Sequence, residues 1–129
     1  MQVTLEARDD ILLVTGVGRV SVNEVLHAFE NAVDKAAERG FDKILFDFLA
    51  VTGEVSTLDL YEIGKAMAEY CLIKSLFPKV AVIGNPPTVT GFGAEVASNR
   101  GLTSMTFTKL QPALDWLRAV GSKAPRSPI

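Results

Sequence analysis

Apolar positions recur along this chain with two different periods, and the switches between them divide it into elements. Val3, Leu5 and Ala7 alternate with Gln2, Thr4 and Glu6, the period-2 pattern of a half-buried strand. Arg8-Asp9-Asp10 reads as a tight turn, and Ile11-Leu12-Leu13-Val14 as a more fully buried strand. So short a connection predicts an antiparallel hairpin. Ser21 then opens a helix, with Glu24 three residues on completing a capping box. Val22, Val25, Leu26, Phe29, Val33 and Ala36 fall on one helical stripe, and Gly40 ends it.

Lys43-Ile44-Leu45-Phe46-Asp47-Phe48-Leu49 is apolar on both faces apart from Asp47, which predicts a central strand covered on both sides. A second helix is predicted from about Thr57 to Lys74, with Leu60, Ile63, Met67, Tyr70 and Cys71 inward and Pro78 barring its continuation. Val80-Ala81-Val82-Ile83 is the next strand, closed by Gly84-Asn85-Pro86-Pro87. A short helix near residues 93–99 and a strand at residues 103–107 follow. The last helix is predicted after Thr108, with Gln111 as a second capping-box partner and Leu110, Ala113, Leu114, Trp116 and Leu117 turned inward. Strands separated by helices require parallel pairing through right-handed crossovers. The expectation is an α/β domain with a mixed, mainly parallel sheet, an antiparallel edge strand and the order β-β-α-β-α-β-α-β-α. It occupies residues 1–120, and residues 121–129 are expected to form a flexible C-terminal tail.

Composition narrows the function classes. With 48% hydrophobic and 22% charged residues the balance is globular, and 129 residues suffice for one core. A formal charge of −2 leaves no broad basic footprint, so no nucleic-acid partner is expected. The lone cysteine, Cys71, has no internal disulfide partner, and the N-terminal segment lacks the charged and apolar regions of a signal peptide. No uncharged apolar run reaches the ~20 residues of a membrane span. A cytoplasmic setting is the expectation.

The arrangement resembles the STAS family, whose type members are the bacterial anti-sigma-factor antagonists, over residues 3–117. Ile11-Leu12-Leu13-Val14-Thr15-Gly16 followed by Ser21-Val22-Asn23-Glu24 is similar to that family's second strand entering its first helix. Ile44-Leu45-Phe46-Asp47-Phe48 followed by Val51-Thr52 resembles its central strand. The family's signature loop is an Asp-Ser-Ser-Gly run in which a serine is phosphorylated by a partner kinase. Here the aligned run is Val55-Ser56-Thr57-Leu58: the hydroxyls stay, the Asp is Val55 and the Gly is Leu58. Ala113-Leu114-Asp115-Trp116-Leu117 resembles the end of the SpoIIAA-like branch, which is related in fold to the Sec14-type lipid carriers. The resemblance implies a STAS-like (SpoIIAA-like) fold and a non-enzymatic regulatory protein-binding module. The alternative it implies is a carrier or sensor of a lipid or other apolar small molecule. Peripheral membrane contact and a homodimer stay open.

Few residues invite chemistry. Gly16-Val17-Gly18-Arg19-Val20-Ser21 imitates a dinucleotide fingerprint but lacks its third glycine, and it reads as a flexible strand-to-helix corner. Gly91-Phe92-Gly93 lacks the Lys-Ser/Thr ending of a phosphate loop. His27 stands without a second His or Cys at ligand spacing, so no metal or cofactor is expected. Asp47 is expected to accept backbone donors from the loop at residues 52–56 and to shape it, and no catalytic residue is assigned. Asp47, Ser56 and Thr57 therefore make the candidate phosphorylation or partner loop. Tyr61, Phe77, Pro86, Pro87 and Phe92 make the candidate apolar ligand or partner surface, because apolar residues in and beside connections commonly mark binding. An apolar cavity behind the second helix would favour the carrier. A filled core with an exposed helix face would favour the module.

Overall fold

A computed structural model describes residues 1–119. The expected tail lies outside the described residues. The elements run β1 (Gln2–Arg8), β2 (Ile11–Arg19), α1 (Val22–Arg39), β3 (Lys43–Thr52), α2 (Thr57–Lys74), β4 (Lys79–Ile83), α3 (Phe92–Asn99), β5 (Thr103–Phe107) and α4 (Leu110–Arg118). The five strands lie in the order β1-β2-β3-β4-β5. β1 pairs antiparallel with β2 through a turn in which Asp9 takes φ 55°, and every other pairing is parallel.

The sheet separates two cores. On one face, Leu12, Val14, Ile44, Phe46, Phe48 and Val80 pack against Phe29 and Val33 of α1, Ile63, Met67 and Cys71 of α2, and Ala97 of α3. On the other, Ile11, Leu13, Leu45, Ala81 and Ile83 pack against Ala113, Leu114 and Leu117 of α4. Odd and even positions of β3 thus serve different helices, as the two-residue period of a strand requires. This is the expected mixed α/β order, with three helices on one face and one on the other.

Local chemistry sets the ends of the elements. Ser21 caps α1 by accepting the Glu24 N–H at 3.4 Å, and Gly40 ends the helix at φ 79°, where a side chain would be strained. The reciprocal half of the capping box does not form, because the Glu24 carboxylate turns to the Met1 ammonium at 3.2 Å. Gln111 likewise caps nothing. Its amide donates to Asp115 at 2.9 Å, and Lys109 begins α4 without a side-chain cap.

The glycines at 16 and 18 do not form a strand-to-helix corner. They lie inside β2, which continues to Arg19 beside a register shift between Thr15 and Val17. A Cβ on Gly16 would lie 2.8 Å from the Phe48 ring, so glycine here admits that ring against the strand.

Candidate functional site

The first site is the start of α2. Ser56 is its N-cap, accepting the Asp59 N–H at 3.1 Å, while Thr57 begins the helix with no capping bond of its own. Both are exposed, and the neighbouring Leu58 is 69% exposed. Thr52 donates its hydroxyl to the Gly18 carbonyl at 3.4 Å and its own carbonyl accepts the Val20 N–H at 2.8 Å. These bonds tie the end of β3 to the end of β2 and to Val20 just beyond it.

Asp47 does not take part. It pairs in register with Ile83 and stands two residues after Leu45, which places it on the α4 face. Its carboxylate accepts the Leu49 N–H of its own strand at 3.2 Å instead of a donor from residues 52–56. The sheet therefore lies between Asp47 and the hydroxyls of Ser56 and Thr57. It also separates Asp47 from His27, which is exposed on α1 beside Met1, Val3 and Leu5 of the β1 side.

The second site was not legible as a set. A cavity of about 80 Å³ lies behind α2. Leu60, Ile63 and Met67 of α2 form one wall, Val25 and Phe29 of α1 a second, and Phe46, Phe48, Val82 and Thr106 of the sheet its floor. Val20 and Val55 close the loop side, and Thr88, Val89, Thr90 and Gly91 lie across the remaining opening. The lining carries no charged side chain, and its only side-chain hydroxyls are those of Thr88, Thr90 and Thr106. The cavity sits toward the carboxyl ends of parallel strands, the position where open α/β sheets bind ligands.

Tyr61, Phe77, Pro86, Pro87 and Phe92 stay outside this lining. Tyr61 accepts an Arg100 guanidinium N–H at 2.9 Å on the outer side of α2 and α3. Phe77 is 56% exposed and borders a separate groove with Val33, Ala36 and Phe41 of α1 and the loop that follows it. Pro86 and Pro87, joined by a cis peptide bond, are exposed at the tip of the loop over the cavity, and Phe92 is half-buried at the start of α3. The expected apolar surface is therefore dispersed, and only the loop carrying the two prolines belongs to the cavity.

α2 is fastened to α1 near its C-terminal end. The Tyr70 hydroxyl donates to the Asp34 carboxylate of α1 at 2.7 Å, which, with some burial, pushes its pKa up to about 12. Burial alone pushes the Cys71 thiol up to about 11, so it behaves as a small hydrophobe. Among the described residues, no group of three or more His, Cys, Asp or Glu side chains could hold a metal ion, and no helix is long and apolar enough to cross a membrane.

No family model matches this chain, and no curated protein matches it. Solved structures do. One is an uncharacterized protein from the DUF3478 family with a SpoIIAA-like fold, from Shewanella loihica PV-4, similar at TM-score 0.50 and 20% identity over 90% of this chain and 92% of that one. Another is the anti-sigma factor antagonist SpoIIAA in its unphosphorylated form, at TM-score 0.51 and 13% identity over 92% of this chain and all of that one. With its five-stranded mixed sheet and four helices in this order, the chain has the SpoIIAA-like fold.

Proposed function

We propose that this chain is a non-enzymatic regulatory module that binds a protein partner through the outer face of α2 and the loop before it. The observation that carries the reading is the exposure of Leu58, Leu72 and Ile73, at 69%, 65% and 82%, on a single helix. A helix that only covered a core would turn charged side chains outward at such positions. α2 turns Glu62, Glu69 and Lys74 outward but leaves Leu58, Leu72 and Ile73 exposed beside them. Leu58 and Leu72 stand nearly four turns apart and so lie on the same side of the helix. The likeness in fold to an anti-sigma factor antagonist supports a protein partner.

The test is a photo-crosslinking residue placed at Leu72 and, as a control, at Gln111 on α4, in cells of the native host. A partner captured at Leu72 alone should bind the purified chain, and the Leu72→Asp, Ile73→Asp double variant should lose that binding while melting normally. Equal capture at both positions, or unchanged binding by the double variant, would overturn the proposal.

A second reading, a carrier or sensor of an apolar small molecule, is favoured by the apolar cavity behind α2.

A further inference from the structure

The cavity is half enclosed, and the segment that narrows its opening is unlike its walls. α1, α2, the start of α3 and the sheet make most of its wall, with Val20 and Val55 on the loop side. The remaining side is the connection at residues 84–91, which carries no regular structure. Two side chains hold that connection down. The Thr88 hydroxyl donates to the carbonyl of Gly53, in the β3–α2 loop on the far side of the opening. Val89 lines the cavity and lies directly over Gly84, where a Cβ would come within 2.7 Å of the Val89 Cβ. Glycine at 84 thus makes the seat for Val89. The Val89 N–H bonds back to the Asn85 carbonyl at 2.9 Å, which closes residues 85–89 into one local turn. Gly91, at φ 90°, ends the connection before α3.

We infer that the cavity is a receptor site for one small uncharged apolar molecule, widened to admit it by displacement of residues 85–89, with Val89 narrowing the opening and the Thr88–Gly53 hydrogen bond as its latch. This rests on the second reading above and narrows it. The size excludes a long acyl chain in the closed state: about 80 Å³ is well below the roughly 300 Å³ at which drug-sized ligand sites begin. An apolar cavity of roughly 150 Å³ stays dry and binds benzene, so the present space of about 80 Å³ must widen before a molecule of that size fits. The lining excludes a charged ligand, because a carboxylate or phosphate moved inside would lose its water with no cation to replace it. Thr88, Thr90 and Thr106 leave room for one hydroxyl or carbonyl beside an otherwise apolar body.

The mechanism is also local. α2 is fastened to α1 by Tyr70 and packs on α3 through Gly64, whose Cβ position would run into the Gly93 carbonyl and lie 2.9 Å from the Val96 Cβ. Movement of α2 would disturb both contacts, whereas movement of residues 85–89 breaks one side-chain hydrogen bond and unseats one valine.

The test is a titration of the full chain, labelled at its Ile, Leu and Val methyl groups, with benzene, 1-butanol, hexanoate and oleate, followed by NMR. Benzene or 1-butanol should give saturable shifts at Val25, Leu60, Ile63, Val82 and Val89, and hexanoate should give none. Val89→Ala should tighten benzene binding at least fivefold by enlarging the space. Thr88→Val should shorten the bound lifetime at least tenfold, and Thr88→Ser, which keeps the hydroxyl, should leave it near that of the parent chain. Binding by oleate without binding by either short molecule would overturn this inference and leave the carrier reading standing. No cavity shift with any of the four would remove both. Binding with equal lifetimes in the Thr88→Val and Thr88→Ser variants would overturn the latch.

Discussion

Gly64 of α2 faces Gly93 of α3 so closely that the Gly93 carbonyl occupies the space a Gly64 Cβ would need, with Val96 behind it. The two glycines differ in tolerance. A Cβ on Gly93 would meet nothing nearer than the Leu60 carbonyl oxygen, at 3.4 Å, which is an ordinary contact. Gly64→Ala is therefore expected to lower stability by about 1–3 kcal/mol through overpacking, despite alanine's better helix propensity. Gly93→Ala is expected to change it by less than about 1 kcal/mol. Urea unfolding of the two variants checks this, and equal losses would show that α2 and α3 can slide apart.

Ser56 and Thr57 separate in the same way. The Ser56 hydroxyl takes the Asp59 N–H, so Ser56→Ala leaves an orphan donor in the first turn of α2. Its expected loss is about 1 kcal/mol, whereas Thr57→Ala should change the unfolding midpoint little. A larger loss for Thr57→Ala would mean that the cap in solution is shifted by one residue.

These positions also show what the sequence discloses and what it conceals. The capping Ser21, the helix-ending Gly40 and the alternation of β1 as far as Leu5 are local signals, read within four residues of each other, and each sits where the pattern predicts. Asp47 misled because a strand covered on both faces shows no polar side from which to count. Only the packing of α4 against Leu45 and Ile83 tells that Asp47 faces away from Ser56. Gly16 misled because a glycine marking the end of a strand and a glycine admitting the Phe48 ring look alike until the partner strand is present. The cavity draws on α1, α2, α3, three strands and three connections, so no window of sequence contains it. Its one local trace is Thr88-Val89-Thr90-Gly91 directly after two prolines, a small and adaptable segment where a strand hands over to a helix.

Tyr70 and Asp34 give the fold a pH dependence at the alkaline end. The bond to the Asp34 carboxylate favours the protonated phenol, raising its pKa from 10.0 to about 12 in the folded state. A group raised on folding contributes stability fully below its unfolded pKa and loses it as pH climbs through the folded one. The contribution should therefore be present up to about pH 10 and fade between pH 10 and 12. Tyr70→Phe should cost about 0.5–1.5 kcal/mol at pH 7, nearer the lower figure because the pair lies close to solvent. The difference between the two proteins should shrink above pH 10. A constant difference to pH 12 would show that the phenol is not held by Asp34.

Cys71 supplies a reporter for the same helix. Its side chain is fully buried one residue after Tyr70, and burial holds the thiol near pKa 11. At pH 8 about one thiol in a thousand would then be ionised even if reagent could reach it. A disulfide reagent should label the folded chain roughly a hundredfold or more slowly than the unfolded chain, because reaction waits for α2 to open. Removing the Tyr70 hydroxyl should raise that labelling rate, since it loosens α2 from α1 at the neighbouring residue. Thr88→Val should leave the rate unchanged, because residues 85–89 swing without α2. If Thr88→Val instead speeds labelling as much as Tyr70→Phe does, then the loop and the helix open together and the cavity is reached by movement of α2.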